Sequence, residues 1–155
     1  MEVIKDNAAL LSNIEVLTLL ENLKSDLKRP KYSVQINEMK GQLSEKEKSL
    51  QRLNTIVYET VKYLEEMPSA TQTPESVKNF LTAIAPYSLT KAEKLQLLNM
   101  RPTSLVEIQL LIEESEERFN EDQMNEILGV VAETLPPGPE TDSKPPSEVD
   151  YEENG

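Results

Sequence analysis

The stretch Leu98–Glu107, LNMRPTSLVE, joins two runs whose apolar residues recur at helical spacing. Pro102 has no N–H to give to a helix, and its ring pushes Arg101 out of helical geometry. A helix arriving from the N-terminal side must stop there. Ser104-Leu105-Val106-Glu107 then forms a capping box, in which the serine and glutamate side chains satisfy each other's orphan amides. The stretch is a stop followed at once by a start, a tight corner between two helices. Read outward from this corner, the whole chain predicts an all-α helical bundle.

Upstream, Thr90-Lys91-Ala92-Glu93 is another capping box, and Ala92, Leu95 and Leu98 share a face that Leu97 widens. Thr73-Pro74 supplies an N-cap and a proline at the first helical position. Behind it Val77, Phe80, Leu81 and Ile84 make one apolar face, and Pro86 ends the helix. A longer helix begins near Ser44, runs to about Glu66 and is closed by Pro68. Its stripe is Leu50, Leu53, Val57, Val61 and Leu64, the spacing of a coiled-coil seam but over too few heptads to make one. The first helix opens on the capping box Ser12-Asn13-Ile14-Glu15, with Leu11 and Val16 placed as a hydrophobic staple. Val16, Leu19, Leu20, Leu23 and Leu27 fall on one face, and Lys28-Arg29 suit the negative helix end before Pro30.

Downstream, Leu105, Val106, Ile108, Leu110, Leu111 and Ile112 nearly encircle a predicted helix from Leu105 to Arg118. Such a pattern implies burial from more than one side. Asn120 caps a last helix with the face Met124, Ile127, Leu128, Val131 and Leu135. The expected organisation is an N-terminal segment and helix over 1–28, a flexible polar connection over 29–43, and a helical region over 44–135. Residues 136–155 hold half of the ten prolines and six acids against Lys144, so they read as a disordered acidic tail.

Composition removes whole classes of function. Aromatic residues are 5% of the chain and tryptophan is absent, so the core must be aliphatic. Lys+Arg is 16 against 28 Asp+Glu, a net charge of −12. Phosphate backbones repel such a chain, and the predicted second helix of the corner holds one base among five acids, so dominant DNA or RNA binding is excluded. An anionic membrane surface is disfavoured for the same reason. With no Cys and no His, disulfides, zinc sites and Cys- or His-dependent nucleophilic catalysis are out of reach. No cofactor motif is present. The chain reads as soluble, intracellular and without a signal peptide.

The remaining candidates are weak as chemistry. Glu113–Glu117 is a solvated acidic face, in which Glu114 has Arg118 four residues on as a helical partner. Arg101 could recognise an acidic partner, but a cation satisfying helix-end carbonyls is the simpler reading. Tyr58 and Tyr63 could make a partner patch, although half-buried core tyrosines are commoner. The broad apolar faces point to an acidic, all-helical interaction protein.

Three stretches carry a resemblance: NAALLSNIEVLTLL at Asn7–Leu20, LNTIVYETVKYL at Leu53–Leu64, and LTKAEKLQLLNMRPTSLVEIQLLIEESEERF at Leu89–Phe119. They resemble the small helical stalk subunits of nuclear RNA polymerase III, whose animal members are also called calcitonin gene-related peptide receptor component protein. The resemblance covers most of residues 1–135 but not 29–50 or the tail. Animal members often carry His where this chain has Met100, so no histidine role transfers.

The family implies a non-catalytic nuclear subunit with no cofactor. It pairs with a larger stalk subunit carrying an OB-type barrel, on the polymerase III core and near initiation factors. It also implies a C-terminal HRDC-like domain, with Leu95, Leu98, Leu105, Ile108 and Ile112 in its core. The N-terminal segment of the family lies against the partner, which makes Leu10, Leu11, Ile14, Glu15 and Leu17 the expected contacts, with Arg101 beside them as a candidate. The second family name implies an alternative, an adaptor in a receptor complex at the plasma membrane. No lipidation signal or basic patch accompanies it.

Overall fold

The structure is a computed structural model that describes residues 9–28 and 44–139. Seven α-helices and one 3-10 turn are present among the described residues, with no strand. They are α1 (Asn13–Leu27), α2 (Glu45–Glu65), the turn Pro68–Thr71, α3 (Pro74–Ile84), α4 (Lys91–Met100), α5 (Leu105–Leu111), α6 (Ser115–Arg118) and α7 (Glu121–Thr134). The all-α expectation holds. The connection expected at 29–43 lies outside the described residues.

Local capping chemistry starts almost every helix. Ser12, Ser44, Thr73, Thr90, Ser104 and Asn120 each accept a bond from the third helical amide, and the residue there returns a bond to the cap. Each box satisfies donors that a helix start otherwise leaves orphaned. At the corner, Arg101 takes φ 44° and ψ 65°, the left-handed conformation that ends α4, and Ser104 starts α5 at once.

Two apolar clusters hold the helices together. The larger joins α3, α4, α5 and α7 through Phe80, Ile84, Leu97, Leu98, Ile108, Ile112, Phe119, Met124, Ile127, Val131 and Leu135. The smaller joins α1, α2 and the Pro68–Thr71 turn through Leu17, Val57, Val61 and Leu64, with Ile14, Val16, Leu20, Leu23 and Ala70 around them. Hydrogen bonds between distant residues link the clusters. Asn13 N–H donates to Asn99 Oδ1 at 2.9 Å, and Gln72 Nε2 donates to the Leu98 carbonyl at 2.7 Å.

Several expected faces are rotated. On α1 the buried residue is Leu17, while Leu19 faces out. The helix rests on both α2 and the 3-10 turn, and that second contact draws the inward arc toward Ile14 and Leu17. On α4 the inward residues are Leu97 and Leu98; Ala92 is exposed and Leu95 half-buried. Leu53 and Leu81 are partly exposed, and Tyr58 and Tyr63 lie at the surface instead of half inside the core. Lys24 sits 6.0 Å above the Tyr58 ring, a contact within cation–π range.

The helix expected from Leu105 to Arg118 is broken. α5 ends at Leu111, Ile112 is extended, Glu114 takes φ 50°, and α6 is a separate turn. A continuous helix would stack Glu113 under Glu116 and Glu117, a like-charge repulsion at helical spacing. The break also frees Arg118 from the expected partner Glu114. It pairs with Glu93 instead. Burial from several sides is likewise corrected: α5 packs through Ile108 and Ile112, while Val106 and Leu110 are exposed.

The first residues of the expected tail are anchored. Thr71 Oγ1 donates to the Pro137 carbonyl at 2.7 Å, and a Cβ added at Gly138 would come within 2.9 Å of Pro68 Cα. Glycine permits that approach. Residues 140–155 lie outside the described residues.

Candidate partner-binding surface

The residues leading into α1 lie beside α3 and α4, and a groove of about 650 Å3 opens between them. Val77 and Leu81 come from α3, Leu95 and Leu98 from α4, and Leu10 from the approach to α1. Lys91 and Lys94 lie on one side, with Glu15 and Ser12 on the other. The capping box fixes the near wall: Ser12 N–H donates to Glu15 Oε2 at 2.7 Å. Neither lysine has an ion-pair partner among the described residues. An apolar floor with two available cations suits an apolar peptide bearing a carboxylate.

The expected contact residues divide. Leu10 and Glu15 line the groove, and Leu10 is 69% exposed. Leu11 is also exposed. Ile14 and Leu17 turn away and pack in the α1–α2 cluster. Arg101 is remote in role: its Nε donates to the Leu135 carbonyl at 3.2 Å, so it satisfies the end of α7, not that of its own helix. The sequence places Val77 and Leu81 on an apolar helix face and Leu95 in the HRDC-like core, and neither reading marks them as lining a groove. α3 carries Val77, Leu81 and Ala83 besides the fully buried Phe80 and Ile84, an apolar surplus that marks Val77 and Leu81 but not Leu95 on α4.

The most structured polar site is Glu93 with Arg118. Arg118 Nη1 and Nη2 donate to Glu93 Oε1 and Oε2 at 2.6 and 3.0 Å, and Nη2 also donates to the Ser88 carbonyl at 2.8 Å. The Arg118 hydrogen bond, assisted by the Thr90 amide, pulls the Glu93 pKa down to about 2. Glu93 is thus a fixed anion, cap of α4 and clamp on α6, and not a proton donor. Glu107 is also held below the usual carboxylate range, chiefly by the Thr103 amide. Both shifts are structural in cause. No group of three or more His, Cys, Asp or Glu among the described residues could hold a metal.

Comparison with known proteins follows the same boundaries. Residues 10–135, from the groove to the end of α7, match the RNA polymerase Rpb4 family. The chain is 31% identical over 122 residues to "DNA-directed RNA polymerase III subunit rpc9" of Dictyostelium discoideum, covering 75% of this chain and 78% of that one. It is 28% identical over 141 residues to the protein of the same name in Schizosaccharomyces pombe, covering 88% of this chain and 100% of that one. A Saccharomyces cerevisiae relative, "DNA-directed RNA polymerase III subunit RPC9", is 34% identical over 58 residues, 37% of this chain and 36% of the relative. By extent of match and by relatives, the chain belongs to the RNA polymerase Rpb4 family.

Proposed function

We propose that this protein is a non-catalytic subunit of DNA-directed RNA polymerase III, the small helical half of its stalk. The match of residues 10–135 to the Rpb4 family, with relatives named as polymerase III subunits, carries this reading. Its place of action is the nucleus. Its direct partner is the larger stalk subunit with an OB-type barrel, and the dimer supports initiation through contacts with initiation factors. In this account residues 1–28 approach the partner, 29–43 connect, 44–135 include an HRDC-like bundle, and 136–155 form the acidic tail. The groove lined by Leu10, Leu81 and Leu95 is the partner's seat. Glu15 lines its wall, Leu11 adds exposed apolar surface nearby, and Ile14 and Leu17 hold α1 in place beneath.

Co-expression with the larger stalk subunit tests the reading. The wild-type chain should be captured in a 1:1 complex. Leu10 and Leu81 are both partly exposed, so the Leu10→Ser/Leu81→Ser chain should keep its stability within about 1 kcal/mol. Its affinity for the partner should fall by about tenfold or more, the loss of two apolar contacts of about 1 kcal/mol each. A wild-type chain that stays monomeric beside the co-expressed subunit would remove the stalk reading. An intact complex with the double variant would remove the groove as its seat.

A further inference from the structure

Helix α5 has two apolar sides. Ile108 and Ile112 are buried against α4 and α7, with Leu105 packed beside them. Val106 and Leu110, four apart and so on one face, point the other way. They are 64% and 81% exposed, the latter the highest among the described large apolar residues. A single exposed leucine means little, but here the pair adjoins a second feature. Gln109, which flanks Val106 on the helix, lines a depression of about 330 Å3 with Ile112, Glu114, Ser115, Glu116 and Glu117. Gln109 Nε2 reaches Glu116 Oε1 at 3.4 Å and holds the two features side by side. Arg118, next to Glu117 in the chain, is committed to Glu93, and neither Glu116 nor Glu117 has an ion pair among the described residues.

We propose that the outer face of α5 is a docking surface for a protein segment that carries an aliphatic side chain next to lysine or arginine. The aliphatic group covers Val106 and Leu110, and the cation enters the acidic depression. Charge complementarity selects this occupant. A nucleic acid or an anionic membrane would be repelled by the same glutamates. A second copy would meet this patch with itself, acid against acid, because a two-fold contact is self-complementary. The surface shares no residue with the groove at Leu10, so both can be occupied together.

The test uses the full chain and three labelled amphipathic helical peptides. The first carries leucine flanked by lysines, the second replaces the lysines by glutamates, and the third replaces the leucines by serines. Fluorescence anisotropy reads binding, and amide chemical shifts read its location. The Leu/Lys peptide should bind and shift resonances of α5 and α6, and the other two should bind at least about tenfold more weakly. Val106→Ser/Leu110→Ser and Glu116→Lys/Glu117→Lys alter exposed side chains, so both variants should keep the wild-type thermal midpoint. Each should weaken the Leu/Lys peptide by about tenfold or more, and the charge reversal should give the Leu/Glu peptide new affinity. Absent binding, binding indifferent to either variant, equal binding of the Leu/Ser peptide, or a dimer abolished by Val106→Ser/Leu110→Ser would each overturn the proposal. The polymerase takes no part in the assay, so this surface and the stalk reading fail separately.

Discussion

Phe80→Ala will cost the fold about 3–5 kcal/mol, the range for emptying a large aromatic site in a packed core. Phe80 has no exposed surface and sits in the larger cluster with Ile84, Ile127 and Val131, where α3 meets α7. The neighbours are held by separate, capped helices, so they cannot readily close the void. A domain of this size has about 5–15 kcal/mol in all, so the variant loses a large share of it. Leu81→Ala, one residue on, removes a side chain that is 46% exposed at the groove and should cost under about 1 kcal/mol. Urea unfolding followed by helical circular dichroism measures both. Equal midpoints for the two variants would mean that α3 does not pack as described.

The second large effect belongs to Glu93, and it depends on pH. Its folded pKa, about 2, lies below the ordinary carboxylate value of 4.5 expected when the chain unfolds. The unfolded chain therefore binds a proton before the folded one does as pH falls. The stability contributed by the Arg118 pair is fully present above about pH 4.5 and is lost progressively toward about pH 2. Glu93→Gln removes the charge and weakens both the clamp on α6 and the cap of α4. Its thermal midpoint should fall on the order of 5 °C or more below wild type at pH 7. The two midpoints should converge near pH 2. Taking the difference between the two chains cancels the titration of carboxylates that both retain, such as Glu107. Arg118→Lys should not restore the wild-type curve, since an ammonium cannot make the two parallel bonds. A difference that stayed constant across the acid range would show that the ion pair is not the source of the stability.

What was legible in the residues was local. Ser12, Thr90, Ser104 and Asn120 announce helix starts because their partners lie three residues away. Pro102 announces the corner by its own covalent geometry. What was not legible depends on neighbours distant in the chain. Whether Leu17 or Leu19 faces inward depends on the 3-10 turn lying beside α2. The Glu93–Arg118 pair spans 25 residues, and the capping role of Glu93 hid its second partner. The break at Ile112–Glu114 follows from acid repulsion and from that same distant pair, while apolar periodicity alone argued for one long helix. The groove was hidden for a related reason: Leu81 and Leu95 look like parts of ordinary apolar faces until the residues leading into α1 are seen beside them. The family was legible from three stretches, and its match ends at Leu135, the buried residue that caps α7.

Affinity purification of the tagged full chain from native extract, with quantitative mass spectrometry of what accompanies it, tests the central claim most directly. The account predicts recovery of RNA polymerase III core subunits and the larger stalk subunit in amounts close to that of the bait, concentrated in the nuclear fraction. Recovery of membrane receptor proteins, or of the chain alone, with no polymerase subunit would contradict it.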